Sequence, residues 1–491
     1  MTIYIDQHSY HYEMENLVRL FFPNEKIVTA SGIPENLSLP CVITSVSNSE
    51  GKAVIFTRVC INDFDKQSST EVNNDDPDFE KTAERAMAVC LYELLCELTG
   101  KCQPWGILTG VRPIKLFRRL SEKNGEQYAK DYFEKELLVS KEKTELSAMT
   151  EKYERKILAL SRPESYSLYV SIPFCPTRCS YCSFVSQTVE KTKKLIQPYF
   201  ELLCKELVYT AKIVKDCHLR LESVYIGGGT PTTLSAEQLK VLIDTIRINY
   251  DMSSCREFTV EAGRPDTIDE EKLQAIYSGG ADRNSINPQT LNDSVLEVIG
   301  RKHTSEQTIK AYELAVKTGF KHINTDLIAG LPTDTLPSFV STLDRICRLN
   351  PASITVHTLA LKRSSRLTLQ GQGVQTDGAG CAADMLRYCE QKLTGSGYHP
   401  YYLYRQTRME GNLENVGWSA EGFDGIYNVF VMDETHTIIG CGAGAVTKLK
   451  VPGGEELSRI FNYKYPYEYI SGFDEMLKRK EQVREFYDKL S

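Results

Sequence analysis

The chain has 491 residues, a formal net charge of -7 and 41% hydrophobic residues. Its length allows two or three domains around a large core, and its composition is that of an ordinary soluble globular protein. The acidic balance disfavours general nucleic-acid binding, no apolar run is long enough to span a membrane, and the first residues lack a basic signal-peptide region. We therefore expect a cytoplasmic, monomeric chain that binds neither nucleic acid nor membrane.

The region 1–163 mixes strand-like and helical patterns, which predicts an N-terminal α+β domain. Leu39–Val46 and Ala53–Cys60 are rich in strand-forming residues and are separated by turn-forming residues. Helical periodicity extends from about Lys81 to Thr99 and returns from about Arg112 to Leu160.

From 164 to 369 the pattern changes to strands that alternate with helices. The predicted strands are Leu168–Ile172, Ser223–Ile226, Phe258–Glu261, Arg283–Ile286, His322–Ile328 and Ser353–His357. The predicted helices are Thr192–Ile213, Ala236–Asn249, Asp269–Ser278, Ser305–Thr318 and Leu336–Arg348. This alternation predicts an α/β fold with a parallel sheet, either an incomplete barrel or a flat doubly wound sheet. In both architectures the functional groups gather at the carboxyl ends of the strands.

The remaining region, 370–491, is predicted to form a C-terminal lid or wall over the sheet. Its predicted elements are a loop at Gly371–Gly380, a helix at Ala382–Thr394, an extended segment at Tyr401–Tyr404 and a β-hairpin made of Gly425–Met432 and Thr435–Ile439.

Three cysteines follow the first predicted parallel strand with the spacing C-x3-C-x2-C: Cys175, Cys179 and Cys182. Three thiolates could bind three irons of a four-iron cluster and leave the fourth iron open to an outside ligand. A structural zinc site is the alternative, but it requires a fourth cysteine or histidine nearby. After Cys182, the next residue of either kind is Cys204. We therefore predict an iron–sulfur site and expect the other twelve cysteines to be reduced thiols.

Polar and glycine-rich residues follow the other predicted strands. The run Gly227–Thr232 would let a ligand approach the backbone, although a simple tight turn has the same composition. Glu261 could accept hydrogen bonds from a ribose diol or form an ion pair with Arg264. Asp326 lies in an apolar run, where a carboxylate is costly to bury without a partner. Two further candidates follow the fourth strand, Gln289 and Arg301.

Two features have weaker predictive value. Gly440–Gly444 is similar to a dinucleotide-binding loop, but no βαβ unit with a ribose-binding acid follows it, so a tight turn near the site is the preferred interpretation. His357 ends the sixth predicted strand, where a structural role and a proton-transfer role are equally compatible with the sequence.

The cysteine spacing, followed by Gly-Gly-Gly-Thr-Pro, resembles the radical S-adenosylmethionine (SAM) superfamily. Tyr169–Cys175 and Asn324–Pro332, with Glu261, Gln289 and Arg301, resemble the oxygen-independent coproporphyrinogen III oxidase family. The resemblance covers about 165 to 450. Further matches, to the longer HemZ branch named coproporphyrinogen dehydrogenase, are Pro104–Pro113 and Gly411–Trp418. The resemblance implies a partial (β/α)6 parallel barrel of radical SAM type.

The resemblance also implies the cofactors. A 4Fe-4S cluster on the three cysteines would hold one SAM molecule, and a second SAM is compatible with the family pattern. The residues that would hold the cluster-bound SAM are Tyr169, Gly228 and Glu261. The residues that would hold the second SAM or shape the substrate cavity are Tyr181, Gly229, Thr230, Gln289, Arg301 and Asp326. The resemblance identifies no catalytic side chain beyond these.

The implied reaction belongs to haem biosynthesis. A 5′-deoxyadenosyl radical would take a hydrogen atom from a propionate of coproporphyrinogen III, and loss of carbon dioxide and one electron would leave a vinyl group. Repetition on a second propionate gives protoporphyrinogen IX. The electron donor would be flavodoxin- or ferredoxin-like. One basic helix face could meet such an acidic carrier, although a solvated helix face is the preferred interpretation: Arg112, Lys115, Arg118 and Arg119.

Three positions depart from the family pattern. Ser171 replaces a histidine, Phe184 replaces a fourth cysteine, and Tyr427–Asn428 replaces the His-Asn pair of related haem chaperones. None of them touches the cysteine triplet. They leave two alternatives to decarboxylation, namely a haem-binding chaperone and a radical SAM enzyme that methylates haem or opens its ring.

Overall fold

The computed structural model describes residues 1–49, 51–360, 379–406 and 409–490. In this part of the chain, contacts define two compact units. The first is built mainly of 1–149 and 404–414, and the second of 150–360, 381–403 and 415–490. The predicted loop at Gly371–Gly380 lies almost entirely outside the described residues, and the division into three domains stays a prediction.

The first unit contains a five-stranded sheet. Its strands are β1 (Thr2–Asp6), β2 (Val28–Ser31), β3 (Cys41–Ser49), β4 (Lys52–Ile61) and β5 (Phe64–Asn73), in the order β2-β1-β3-β4-β5. Its helices are α1 (His11–Phe21), α2 (Phe79–Thr99), α3 (Pro113–Asn124) and α4 (Glu126–Asp131), and α5 (Lys141–Leu158) follows them. The two predicted strands are β3 and β4, and the predicted long helix is α2. The polar strand β5 has no hydrophobic alternation, and only its antiparallel pairing with β4 identifies it.

Six of the parallel strands of the second unit are those that the sequence predicts. They are β6 (Ser165–Ile172), β9 (Arg220–Gly228), β10 (Glu257–Gly263), β11 (Arg283–Ile286), β12 (His322–Ala329) and β13 (Ser353–Thr358). Between β6 and β9 lies a short parallel pair, β7 (Phe174–Cys175) and β8 (Gln187–Thr188). The connecting helices are α6 (Val189–Asp216), α7 (Ala236–Asn249), α8 (Glu270–Ser278), α9 (Asp293–Val298), α10 (Ser305–Thr318) and α11 (Leu336–Leu349). This succession is the α/β fold with a partial parallel barrel that the sequence predicts.

Local sequence explains why two of these helices begin where they were predicted to begin. Ser235 before α7 and Thr304 before α10 each accept a hydrogen bond from the backbone N–H three residues later. In return, the side-chain Oε1 atoms of Gln238 and Gln307 accept a hydrogen bond from the N–H of the capping residue. These reciprocal bonds satisfy N–H groups that a helix start otherwise leaves unpaired.

The rest of the second unit extends the sheet at both ends. Its elements are α12 (Ala379–Gly395), β14 (His399–Tyr404), β15 (Asn415–Ser419), α13 (Ile426–Asp433), β16 (Thr437–Cys441), β17 (Val446–Lys450), β18 (Leu457–Phe461), α14 (Pro466–Ser471) and α15 (Phe473–Asp488). The described strand order is β14-β15-β13-β12-β11-β10-β9-β6-β16-β17-β18, an open sheet. No described helix is long and apolar enough to cross a bilayer.

The predicted hairpin at Gly425–Ile439 is wrong. Its first half is helix α13, because the buried carboxylate of Glu257 accepts hydrogen bonds from the backbone N–H groups of Ile426 (2.7 Å) and Tyr427 (3.3 Å) at the helix start. Glu434, with φ of 56°, ends the helix in the left-handed conformation. The second half is strand β16, which pairs in parallel with β6. A carboxylate 169 residues away therefore decides this local structure.

A buried ion pair holds the glycine-rich segment Gly440–Gly444. Lys480 and Glu206 are both fully buried, with 3.1 Å between Nζ and Oε1. The Lys480 ammonium also donates to the Gly440 carbonyl, and Glu206 accepts from the Gly442 N–H at 2.7 Å. Ser171, at the end of β6, donates to the Ala443 carbonyl at 2.8 Å. The segment is thus the predicted tight turn beside the strand that leads to the cysteines.

Buried His436 should make the protein sensitive to acid. Its ring nitrogens lie 2.8 Å from Ser161 Oγ and 2.9 Å from Ser167 Oγ, and burial lowers its pKa to about 3. Because the unfolded chain takes up this proton near pH 6.5 and the folded chain does not, stability is lost as pH falls from 6.5 towards 3, by up to about 4 kcal/mol.

We therefore expect the thermal midpoint of the wild type to fall more steeply between pH 7 and pH 4 than that of His436→Gln. Differential scanning calorimetry over this range measures the two slopes. Parallel slopes would show that His436 is not a source of acid sensitivity.

Candidate functional site

The three cysteines lie immediately after strand β6, in a loop anchored at both ends. Cys175 ends the short strand β7, where it pairs with Thr188 of β8. Further along the loop, the Ser180 N–H donates to the Ile299 carbonyl (3.0 Å), and Thr177 Oγ1 donates to the Gly300 carbonyl (3.1 Å). These bonds attach the cysteine loop to the segment after α9, which leads to Arg301. The cysteines and Arg301, two predicted features more than a hundred residues apart in the sequence, therefore meet.

A single cavity in the second unit brings most of the predicted site residues together. The predicted residues that line it are Cys175, Cys179, Tyr181, Cys182, Gly229, Thr230, Glu261 and Arg301. The predicted residues outside its lining are Tyr169, Gly228, Gln289 and Asp326. The lining also includes residues that the sequence did not identify as site residues, among them Ser186 and Arg264.

Two buried arginines surround the middle cysteine. Arg264 Nη1 lies 3.5 Å from Cys179 Sγ, and the same guanidinium forms an ion pair with Asp266 at 3.0 Å. Arg301 donates to the Asn287 carbonyl (2.6 Å) and to the Tyr181 hydroxyl (3.2 Å). The two guanidinium groups therefore place positive charge beside the Cys179 sulfur. The sequence suggested Arg264 as a partner for Glu261, whereas the structure directs it to Asp266 and Cys179.

Burial dominates the surroundings of the outer two cysteines. Burial raises the pKa of Cys182 to about 11 and also raises that of Cys175. Thr230 Oγ1 lies 3.6 Å from Cys175 Sγ, and the Phe184 N–H donates to Cys182 Sγ. These thiols are therefore neutral without a metal and lose their protons when they bind one.

Glu261 is a carboxyl group in a site where it is costly to ionise. Burial raises its pKa to about 7, and the negative charge of Asp326 acts in the same direction. The Tyr225 hydroxyl donates to Glu261 Oε1, a partner that the sequence pattern did not reveal. Gly227 leaves room for this arrangement, since a Cβ there would lie 2.7 Å from the Tyr225 ring and 3.0 Å from Glu261 Oε2. Glu261 thus presents its carboxyl group to the cavity in a position that Tyr225 fixes.

The glycine run brings its backbone against the cysteine loop. Gly228 has φ of +110°, a conformation that side chains rarely allow. A Cβ on Gly229 would lie 2.6 Å from the Phe174 carbonyl oxygen and 3.0 Å from Cys175 Sγ. The Gly229 and Thr230 N–H groups donate to the Ile172 and Phe174 carbonyls, both at 2.8 Å. The run therefore sets the position of Cys175.

Gly229→Ala should displace Cys175 and lower the iron content of the reconstituted protein by at least about half, because backbone and sulfur lie closer than a methyl group allows. Gly395→Ala is the matched control, since a Cβ there meets nothing within 4 Å. Iron and sulfide analysis compares the two variants. Full iron content in Gly229→Ala would contradict this role of the glycine.

Three stacked tyrosines lie beside Glu261. The ring of Tyr225 stacks on that of Tyr427 at 4.4 Å between centroids and on that of Tyr169 at 6.3 Å. Burial raises the pKa of all three hydroxyls, so they remain neutral phenols. The predicted site residue Tyr169 is therefore part of an aromatic layer.

Gln289 and Asp326 meet through their backbones. The Gln289 N–H donates to the Asp326 carbonyl at 2.9 Å, and Gln289 has φ of 68°. The Asp326 side chain accepts from Asn324 Nδ2 at 2.7 Å and lies 3.8 Å from His357 Nε2. Gln289 thus follows the carboxyl end of β11, Asp326 lies in the second half of β12, and His357 is the last residue but one of β13.

The cavity fits the group that the cysteine spacing predicts. It offers three sulfur donors from one short loop, and the buried Nε of Arg301 has no partner among the described residues. No three histidine, cysteine or carboxylate side chains in the described ranges already converge on one metal ion. A four-iron cluster does not require such convergence, because each thiolate binds a separate iron.

Comparisons with known proteins define first the class and then the family. Residues 169–346 match the family model described as Radical SAM superfamily, and fold and site together define a radical SAM protein. The chain is 38% identical over 417 residues to the "Oxygen-independent coproporphyrinogen-III oxidase-like protein HemZ" of Bacillus subtilis, covering 82% of both chains. It therefore belongs to the HemN/HemZ family of oxygen-independent coproporphyrinogen III oxidase-like radical SAM proteins, which use a 4Fe-4S cluster and SAM.

Two further similarities concern function and fold. The "Heme chaperone HemW" of Haemophilus influenzae is 31% identical over 309 residues, covering 62% of this chain and 76% of the relative. The solved structure of coproporphyrinogen III oxidase (HemN) from Escherichia coli is similar with a TM-score of 0.52 and 25% identity, covering 66% of this chain and 72% of that one. The family thus includes both enzymes and chaperones by name.

Proposed function

We propose that this protein converts coproporphyrinogen III to protoporphyrinogen IX by oxygen-independent oxidative decarboxylation. The observation that carries the proposal is the shared cavity, in which the three thiols meet Gly229, Thr230 and Glu261. The substrate is inferred from the 38% identical relative and from the HemN structure. The proposal places the reaction in the reducing cytoplasm, and all fourteen described cysteines are free thiols.

When bound, the reduced cluster and SAM supply a 5′-deoxyadenosyl radical. In the proposal, Cys175, Cys179 and Cys182 hold the cluster, and the carboxylate of Glu261 accepts hydrogen bonds from the ribose of SAM. Tyr225 positions Glu261, since its hydroxyl already donates to that carboxylate. Tyr181 and Arg301 lie on the Cys179 side of the cavity and are assigned to a second SAM or to the substrate. The stacked tyrosines exclude water beside Glu261.

Tyr427 favours the enzyme over the chaperone. It takes the position of a histidine in haem chaperones, but it is only 6% exposed and stacks on Tyr225. Burial keeps its phenol neutral, and a neutral, packed phenol is a poor iron ligand. A haem-binding chaperone remains the second candidate because several relatives carry that name. A haem-methylating or ring-opening enzyme is the third.

Anaerobic turnover tests the proposal. Reconstituted protein is incubated with SAM, a chemical reductant and coproporphyrinogen III, and products are followed by chromatography. We expect vinyl-bearing protoporphyrinogen IX and two methionines per turnover, with cluster-free protein as the control. Stable haem binding without a decarboxylated product would overturn the proposal in favour of the chaperone. A methylated or ring-opened tetrapyrrole would overturn it in favour of the third candidate.

A further inference from the structure

Three exposed lysines lie in the first two turns of α6, shortly after the last cysteine of the site. We call Lys191, Lys193 and Lys194 the lysine patch. The first turn contains a single acidic residue, Glu190, so the patch leaves this end of the helix with a net positive charge.

Helix stability does not explain the lysine patch. The amino end of a helix carries a partial positive charge, and cations there are unfavourable by roughly 0.3–1 kcal/mol each. Lys191 and Lys194 are also three residues apart on one helix face, where like charges repel. By contrast, basic residues at the carboxyl end of α6, such as Lys215, are favoured by the same dipole. A positive cluster at an unfavourable place indicates a role in binding.

The short β7–β8 pair brings the lysine patch close to the predicted cluster. Thr188 pairs with Cys175, and α6 begins at the next residue, Val189. From the spacing of paired strands and the rise of a helix, the backbone of the patch lies within about 15 Å of the Cys175 backbone. Electron transfer falls steeply with distance, so a carrier bound at this patch would be well placed to reduce the cluster.

An exposed aromatic residue lies between the cysteines and the lysine patch in the sequence. Phe184 is 63% exposed, two residues after Cys182, and its backbone N–H donates to Cys182 Sγ. Exposed aromatic rings are typical anchors at the centre of protein–protein interfaces, and charged residues at the rim steer the partner. Phe184 and the lysine patch together have this composition.

We propose that Phe184 and the lysine patch form the docking surface for an acidic one-electron carrier protein of the flavodoxin type. One electron leaves the reduced carrier and enters the cluster, so the carrier is oxidised and the cluster reduced by one electron. The inference rests on the cluster assignment in the proposed function. It replaces the basic face at Arg112–Arg119 as the carrier site, because Arg118 is buried and Arg112, Arg118 and Arg119 all have interaction partners.

Charge reversal tests the lysine patch with flavodoxin hydroquinone as the donor. The test variant is Lys191→Glu/Lys193→Glu/Lys194→Glu. The control is Lys205→Glu/Lys212→Glu/Lys215→Glu, which reverses three exposed lysines further along the same helix. Stopped-flow absorbance follows cluster reduction, and calorimetric titration with flavodoxin gives the Kd. Neither readout requires a tetrapyrrole, so failure of the decarboxylation assay leaves this test intact.

We expect the test variant to be reduced at least about tenfold more slowly than the wild type at low ionic strength, with a weaker Kd and a difference that shrinks at high salt. The control should keep the wild-type rate, and dithionite should reduce all three proteins equally. Wild-type reduction of the test variant by flavodoxin, or equal slowing of the control, would overturn the proposal. Slower reduction by dithionite would also overturn it, since the lysines would then support the cluster itself.

Phe184→Ala tests the aromatic anchor. We expect about a tenfold higher Kd for flavodoxin with unchanged iron content. The matched control is Phe461→Ala on β18, a ring that is 58% exposed. An unchanged Kd in Phe184→Ala would remove Phe184 from the docking surface and contradict the proposal.

Discussion

Cys179→Ser should abolish iron–sulfur cluster assembly and SAM cleavage while the fold survives. Cys179 is the middle ligand of the proposed set, and the guanidinium of Arg264 lies 3.5 Å from its sulfur. A serine oxygen is a harder donor that binds iron–sulfur clusters poorly, since thiolates are the ligands such clusters select. We expect the brown absorbance to disappear and 5′-deoxyadenosine formation to fall at least about a hundredfold.

Cys217→Ser is the control for this variant. Cys217 is a partly buried free cysteine at the end of α6, and it is not among the residues that line the cavity. It should keep full iron content and SAM cleavage, and both variants should keep the wild-type circular dichroism spectrum. Iron, sulfide and nucleoside analyses provide the readouts. Wild-type iron content in Cys179→Ser would refute the ligand assignment.

Lys480→Met should destabilise the second unit by about 3–5 kcal/mol, because it leaves a fully buried carboxylate without its counter-ion. Glu206 would keep its hydrogen bonds from Asn462 (2.8 Å) and Tyr469 (2.6 Å), but these are neutral donors. The lost ammonium also supports the Gly440 carbonyl in the turn beside Ser171. We therefore expect a thermal midpoint lower by several degrees, together with weaker cluster retention.

Lys310→Met is the matched control for the buried pair. Lys310 pairs with Glu306 on the surface of α10, where the two side chains are 70% and 75% exposed. Exposed pairs contribute little, so this variant should melt at the wild-type temperature. Thermal unfolding followed by circular dichroism compares the two. Equal midpoints would show that the buried pair does not stabilise this unit.

Local pattern was sufficient to predict the parallel part of the fold. The six strands alternate regularly with helical stretches, and capping residues such as Ser235 and Thr304 mark helix starts in the sequence itself. Strand β5 and helix α13 were not predicted, because pairing with β4 determines the first and the Glu257 carboxylate begins the second. The first cause is pairing in a hairpin with the neighbouring strand, which the polar composition of β5 does not reveal. The second is a contact across 169 residues, which no window along the chain contains.

The same distinction applies to the site. The cysteine spacing and the glycine run are local signals, and the structure places them against each other. Tyr225 and Arg264 were not identified as site residues, since their importance comes from which side chains they reach after folding. Tyr225 precedes the glycine run on β9, and β9 pairs with β10, the strand of Glu261, so the proximity of the two side chains follows from strand order. The buried Glu206–Lys480 pair joins residues 274 positions apart and leaves no sequence pattern.

The central claim is that three cysteines hold a four-iron cluster whose fourth iron binds SAM. Electron paramagnetic resonance of the reduced, reconstituted protein, recorded with and without SAM, tests it most directly. We expect about four irons per chain and a spectrum that changes on SAM addition, because the open iron gains a ligand. Zinc in place of iron, or a cluster spectrum that SAM leaves unchanged, would contradict the claim.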